Sequence, residues 1–203
     1  MIYELIMKVI VLSGTPGTGK TTISNKVAKL INAKVITLNE LVISKNFILS
    51  YDKHRETSII DEKKIISYIE EQIKVLKKED LEILIIESHF SDIIPDKYID
   101  IAIVLRCHPD ILTERLEKRG YRKEKILENI QSEILGNCVN YFMKKKIKTP
   151  LLEIDTTDLE IKTEIDIILE IILEKKNIES FYAGKIDWLE KLFNENRLTE
   201  FFK

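Results

Sequence analysis

Residues Ser13-Gly14-Thr15-Pro16-Gly17-Thr18-Gly19-Lys20-Thr21-Thr22 contain the pattern G-x-x-x-x-G-K-[ST]. A largely apolar run, Met7-Lys8-Val9-Ile10-Val11-Leu12, leads into it. Behind it Ile23, Val27, Leu30 and Ile31 recur at helical spacing, so residues 20–31 are predicted to form a helix. Buried strand, glycine-rich turn and helix in that order confine the chain to few folds, because the turn must curl its amides around whatever meets the helix N-terminus. Small residues at Gly14, Gly17 and Gly19 permit positive φ and close backbone approach. In such a loop Lys20 reaches β- and γ-phosphate oxygens and the Thr21 hydroxyl can ligate Mg²⁺.

At 203 residues the chain is long enough for one α/β domain with a substantial core. Lys and Arg number 32 against 34 Asp and Glu, a formal charge of −2, so the overall balance calls for neither nucleic acid nor a membrane surface. Lys144-Lys145-Lys146 with Lys148 reads as a solvated helix end. Cys107 and Cys138 lack metal-ligand spacing and read as buried thiols of a reducing compartment. Residues 1–6 carry an acid, no basic leader and no small-residue cleavage site, and either Met1 or Met7 can serve as the start. No apolar span of membrane length is present in the sequence, which suits a cytoplasmic protein.

Residues 34–38 read as a second strand, and 39–60 as an irregular polar stretch too long for a connector. Ile65, Ile69, Ile73 and Leu76 mark the next helix. Buried strands at 81–86 and 99–105 end in Glu87-Ser88-His89 and in Arg106. A helix at 110–118 follows Pro109, breaks at Arg119-Gly120-Tyr121-Arg122-Lys123, and is succeeded by one through Ile126, Ile130 and Ile134. Residues 151–155 are a fifth strand, with Ile161, Ile165, Ile168 and Ile172 on the helix after it. Alternating strands and helices give an α/β fold, a three-layer α/β/α P-loop NTPase with a five-stranded parallel sheet. Its ligand edge lies beyond the strands' carboxyl ends, where these polar groups are expected to converge. Residues 1–176 form the domain and 177–203 a helical extension, whose Phe181, Trp188, Leu189, Leu192, Phe193, Phe201 and Phe202 are expected to pack on it, with a partner-docking surface as the alternative.

The rest of the sequence selects among phosphate chemistries. Asn25-Lys26 is followed by Val27-Ala28, and no glycine has Asp three positions before it, so the guanine-reading and switch motifs of GTPases are missing. Phosphoryl transfer needs a metal-linked acid, cations for the migrating group, an acceptor site and a cover. Glu87 suits the first, holding Mg²⁺ through water. Arg119, grouped with Arg115 and Arg122 beside Gly120, suits a hinged lid. The insert at 37–60 lies where an acceptor clamp can grow. His89 can orient water or a phosphate oxygen, with Asp92 as its partner, or bond within its loop. His54 and His108 lack such context and are expected in solvent.

The loop, acid-x-His at Glu87-Ser88-His89, and the stretch from Glu114 through Arg119-Gly120-Tyr121 to Glu128-Asn129-Ile130-Gln131-Ser132-Glu133-Ile134 closely resemble the adenylate kinase isoenzyme six family. The resemblance spans roughly residues 7–175. It implies a nucleoside monophosphate kinase with ATPase activity that helps mature the small ribosomal subunit, archaeal-type and cytoplasmic, or nuclear in a eukaryote. It also implies an acceptor insert at about 37–60 and a lid at about 118–128. By position Gly17, Gly19, Lys20, Thr21 and Thr22 correspond to the ATP phosphate site, Arg119 to the lid arginine and His89 to the histidine implicated in family catalysis. Two positions depart from the family: Glu87 where Asp is common, and Ile43 where an arginine is common, which leaves AMP either held by Arg55 or bound weakly.

The leading expectation is transfer of the γ-phosphoryl of Mg·ATP to a nucleoside monophosphate, AMP by preference, with Lys20 and Arg119 stabilising charge and Mg²⁺ between Thr21 and Glu87. Two alternatives stand beside it. One is an ATPase assembly factor that binds a small-subunit ribosomal protein and a pre-ribosomal particle, with His89 favouring water as acceptor. The other is a kinase of a non-nucleotide metabolite. Neither a membrane nor sequence-specific nucleic acid is an expected partner.

Overall fold

The computed structural model describes residues 7–53 and 57–202. Readings that fall on Met1–Ile6, and on His54 and Arg55, lie outside the described residues. Strand β1 (Lys8–Gly14) runs into the glycine-rich loop and then helix α1 (Lys20–Ile31). The chain continues through β2 (Lys34–Thr37), α2 (Leu38–Ser44), the pair β3 (Ile48–Asp52) and β4 (Thr57–Ile60), and α3 (Glu62–Lys78). It closes with β5 (Ile83–Glu87), β6 (Ile101–Arg106), α4 (Pro109–Lys118), α5 (Lys123–Ile134), α6 (Asn137–Lys144), β7 (Leu151–Asp155), α7 (Ile161–Ile172) and α8 (Trp188–Asn194).

Five strands form one sheet in the order β2-β5-β1-β6-β7, all parallel. The central strand is nearly continuous in apolar residues because helices cover both its faces. Alternate residues serve the two layers. Val9 and Val11 face a core with Ile65, Ile69 and Ile73 of α3, whereas Ile10 and Leu12 face Ile23 and Val27 of α1 and Ile168 of α7. This is the expected α/β/α arrangement. Each fully buried aliphatic side chain in it contributes on the order of 2 kcal/mol.

Two stretches behave differently from the sequence reading. The described residues of 39–60 are not irregular. They form α2 and an antiparallel hairpin in its own two-stranded sheet, with a register shift between Ile48 and Ser50. Helix α6 carried no helical signal, since Asn-Cys-Val-Asn-Tyr-Phe is rich in strand and turn formers. Tertiary burial of Cys138, Val139 and Phe142 against the core of the α3 layer decides it. The Lys144 to Lys146 cluster does fall at this helix's end.

The C-terminal segment packs on the same body, but not with all the residues expected: Leu189 and Phe193 remain exposed, because the short α8 turns only its Trp188 and Leu192 face inward. Ala183 N donates to Leu151 O at 3.0 Å and Tyr182 bridges Leu152, so the chain covers the exposed edge of β7. Trp188 and Leu192 then enter a third cluster with Leu112, Leu116, Ile126, Ile130 and Ile134, where α4 meets α5. His108 is a correction to the expectation of a solvated ring. It caps α4, accepting from Asp110 N at 3.3 Å, and packs edge-on against Trp188 at 5.2 Å.

Candidate active site

Strand β1 lies between β5 and β6, where the strand order reverses direction, and a crevice opens beyond the carboxyl ends at that point. The loop sits there. Gly17 and Gly19 have φ of +101° and +103°, which side chains other than glycine's rarely tolerate. Space imposes the same choice at Gly17, where a Cβ would stand 2.6 Å from Leu112 Cδ1. Three donors converge on one carbonyl: Thr18 N at 3.2 Å, Thr18 Oγ1 at 2.9 Å and Lys20 Nζ at 3.2 Å all donate to Thr15 O. The loop is therefore braced from within. Helix α1 starts at Gly19 with no side-chain cap and no acid in its first turn, so its leading N–H groups and dipole face the crevice.

Lys20 is 7% exposed, and Thr15 O is its hydrogen-bond partner among the described residues. Burial pulls its pKa below the ordinary lysine value, and the nearby Glu87 carboxylate opposes that. Glu87, last residue of β5, is buried, and its pKa is raised by that burial against the pull of Lys20 and of the Thr21 and Thr37 hydroxyls. Thr21 Oγ1 donates to Glu87 Oε2 at 3.2 Å. Two hard oxygens at that spacing, beside the helix N-terminus, match neighbouring positions around a small octahedral cation, about 3 Å apart at Mg²⁺ ligand distances. The residues present thus fit Mg²⁺.

His89 lies two residues on, accessible to solvent through the crevice yet enclosed by protein on its other sides. That enclosure, with Lys20 and Lys125 near, pushes its pKa down to about 4, so the ring is neutral at pH 7. Its ring packs edge-on against Phe90, and its carbonyl accepts from Cys138 Sγ at 3.6 Å. Asp92 is not its partner. It pairs instead with Lys145 at 2.8 Å, because the short helical turn at Ser91–Ile93 lays it against the end of α6.

A single cleft of about 730 Å³ contains the loop, Thr21, Thr22, Glu87, His89 and Arg119, and it extends along Asn39 and Ile43 of α2 and Ile48, Thr57 and Ser58 of the hairpin. Arg119 caps α4, with Gly120 after it at φ +72° and open space around it. The arginines grouped in the sequence do not stay together. Arg115 turns away to Thr156, donating to its carbonyl at 2.7 Å, and Arg122 is not on the cleft wall. Arg106, expected at the ligand edge, is instead buried beneath the loop, paired with Glu133 and Glu153. The apolar sheet end cannot expose it once α5 covers it. Lys125 was not singled out in the sequence, being one of 32 cations with no motif. Here it lines the cleft and bridges it, donating to Thr57 Oγ1 at 3.2 Å while pairing with Glu128 at 2.8 Å. Cys107 and Cys138 are buried, and burial lifts their thiols to about 12 and about 11. Both are inert at neutral pH. No cluster of three or more His, Cys, Asp or Glu able to hold a metal occurs among the described residues.

Sheet order, loop and flanking helices define an α/β protein of the P-loop, kinase-like class. A family model described as an AAA domain matches residues 10–136. A protein of Methanocaldococcus jannaschii named "Putative adenylate kinase" is 39% identical over 185 residues, covering 91% of this chain and 95% of its own. One of the same name from Methanosarcina acetivorans is 34% identical over 191 residues, covering 89% of this chain and 97% of its own. The chain belongs to this family. The fold is also that of an uncharacterized protein from Eubacterium ventriosum, at 16% identity and a TM-score of 0.55, covering 83% of this chain and 99% of that one.

Proposed function

We propose that the protein is a nucleoside monophosphate kinase that moves the γ-phosphoryl of ATP to AMP. The observation that carries this reading is the continuity of the cleft, which runs without interruption from the P-loop to the wall built by α2 and the hairpin. An acceptor seated on that wall faces the transferring group. The curated relatives' name supports the same choice of substrate class.

In this reading the loop amides and the first turn of α1 bind the donor phosphates, and Lys20 holds the charge that accumulates on the β–γ oxygens. Thr21 and Glu87 would hold Mg²⁺, which when bound neutralises phosphate charge and orients the chain of phosphates. Arg119, on a lid at about 118–128 hinged near Gly120, brings a guanidinium to the migrating group and sheds water as the lid closes. The acceptor clamp is the insert at about 37–60. Lys125 joins the two walls. No covalent intermediate on the protein is required.

ATPase activity is a second part of the proposal, favoured by one observation: a neutral His89 opens into the same cleft and can accept a proton from, or orient, a water in place of the acceptor. The narrower kinship with the isoenzyme six family extends the proposal to a cytoplasmic role in small-subunit maturation with a ribosomal protein partner. Co-purification with such a protein tests it, and its absence in a folded sample counts against it. Among the described residues no helix is long and apolar enough to cross a membrane. The kinase reading is tested by a coupled assay for ADP from ATP with each nucleoside monophosphate in turn, hydrolysis being followed in parallel. ADP formation that requires AMP is the expected result. A folded sample that transfers to none of them removes the reading.

A further inference from the structure

Beneath the phosphate loop lies a buried polar cluster that the proposed chemistry does not use. Glu133, near the end of α5, is 1% exposed and commits both oxygens. Its Oε2 accepts from the Thr15 hydroxyl. Its Oε1 accepts from Arg106 Nε at 2.8 Å, from Cys107 N at 3.1 Å and from the indole Nε1 of Trp188 at 3.2 Å. One carboxylate therefore ties the loop to the C-terminal segment.

The same cluster holds that segment through two more hydrogen bonds. Arg106 Nη1 donates to Ile186 O at 3.2 Å, and Glu153, the other partner of Arg106, accepts from Gly184 N. We infer that Glu133 is a positioning residue for the phosphate loop, and that docking of the C-terminal segment at Trp188 sets how firmly it holds Thr15. The inference rests on the reading that this loop binds ATP.

The physical route is short. Thr15 is the residue whose carbonyl gathers Lys20 and Thr18, so the side chain held from below and the carbonyl holding the ammonium belong to one residue. Glu133 cannot relax toward water, since it is buried and an unpaired carboxylate there is costly. If the indole N–H is withdrawn, the carboxylate loses one of its four partners and shifts toward Arg106, changing its grip on Thr15. Helix α5 adds rigidity, because Lys125 on the cleft wall and Glu133 under the loop sit on the same twelve-residue rod. Coupling of this kind is reciprocal: ATP binding must also strengthen docking of the segment.

Trp188 is the chain's single tryptophan, so indole emission reports on this one place in the fold. The experiment titrates Mg·ATP into the full chain and follows heat and indole emission together in the wild type, Thr15→Val and Thr15→Ser, and follows heat and KM in Trp188→Phe, which carries no indole. The expected result is an emission change that saturates with the heat in the wild type and in Thr15→Ser. In Thr15→Val at saturating Mg·ATP the heat persists and the emission change is lost. Trp188→Phe keeps a smaller aromatic ring but removes the donor; loss of one hydrogen bond to a charged group should raise KM for ATP about three- to tenfold with kcat within about twofold. Heat without any emission change, together with an unaltered KM in Trp188→Phe, overturns the inference and leaves nucleotide binding intact. No heat in a folded wild type overturns the nucleotide reading as well, and with it this inference.

Discussion

Replacing Lys20 by Met should move activity and stability in opposite directions. The side chain is of similar length and apolar, so the pocket around its stem stays filled. The ammonium it removes is buried, is pulled below its ordinary pKa by that burial, and has spent one of three donors, on Thr15 O. In the ligand-free protein such a cation is a liability, and apolar replacement of buried ions is commonly neutral or stabilising. Glu87 loses the attraction of that cation in the exchange, which offsets part of the gain. The net expectation is a stability change between zero and about 2 kcal/mol in favour of the variant, or a rise in Tm of up to about 6 °C for a chain of this size. Transfer should fall by about 10³-fold or more, because a cation aimed at the migrating phosphoryl in a low-dielectric site is worth about 4 kcal/mol or more. Calorimetric unfolding and a coupled ADP assay on the same preparation decide it. A variant that loses more than about 2 kcal/mol of stability, or keeps transfer within about tenfold of wild type, refutes the view of Lys20 as a charge held ready for phosphate.

Gly17→Ala places a methyl 2.6 Å from Leu112 Cδ1 on a backbone at φ +101°, so it should cost about 2 to 3 kcal/mol and weaken ATP binding, as thermal melts with and without Mg·ATP will show. Glu87→Gln should raise the Mg²⁺ concentration giving half-maximal activity by about tenfold or more while leaving the melt nearly unchanged, and an unaltered Mg²⁺ requirement would remove Glu87 from the metal site. His89→Ala should reduce hydrolysis more than transfer; equal losses in both assays would deny the histidine a separate role with water. The same variant makes a pH prediction. His89 is neutral when folded down to about pH 4 but takes up a proton near pH 6.5 when unfolded, so the unfolded state binds more protons in that window and the wild type loses stability as pH falls through it. His89→Ala should therefore lose less, by about 1 kcal/mol or some 2 to 4 °C between pH 7 and 4.5 once solvent contact along the cleft is allowed for. A wild type no more acid-sensitive than the variant contradicts the depressed pKa.

The legible parts of the chain were those whose physics is local. Gly17, Gly19 and Lys20 advertise the loop because backbone conformation and phosphate chemistry dictate them one residue at a time. The five strands and the helices α1, α3, α4, α5 and α7 show in their apolar spacing, since each presents a periodic face to the core. The hairpin at β3 and β4 did not, as its residues are largely exposed and a small two-stranded sheet leaves no buried alternation to read. Helix α6 was silent because its residues prefer other conformations and only burial against a finished core holds it. The places of Arg115, Asp92 and His108 are not legible for a related reason: Thr156, Lys145 and Trp188, the partners they find, are distant in the chain.

By itself the sequence determined the βα unit with its phosphate loop, the parallel sheet, and the acid and histidine at the end of β5, because strand and helix periodicity and glycine's torsional freedom act over a few residues. Only the tertiary structure decided which charges face the cleft and which lie beneath it. Arg106 is taken out of the site and paired with Glu133 and Glu153 under the loop, and Lys125 is brought to its wall, since burial and pairing of charge depend on groups 27 to 68 residues apart in the chain.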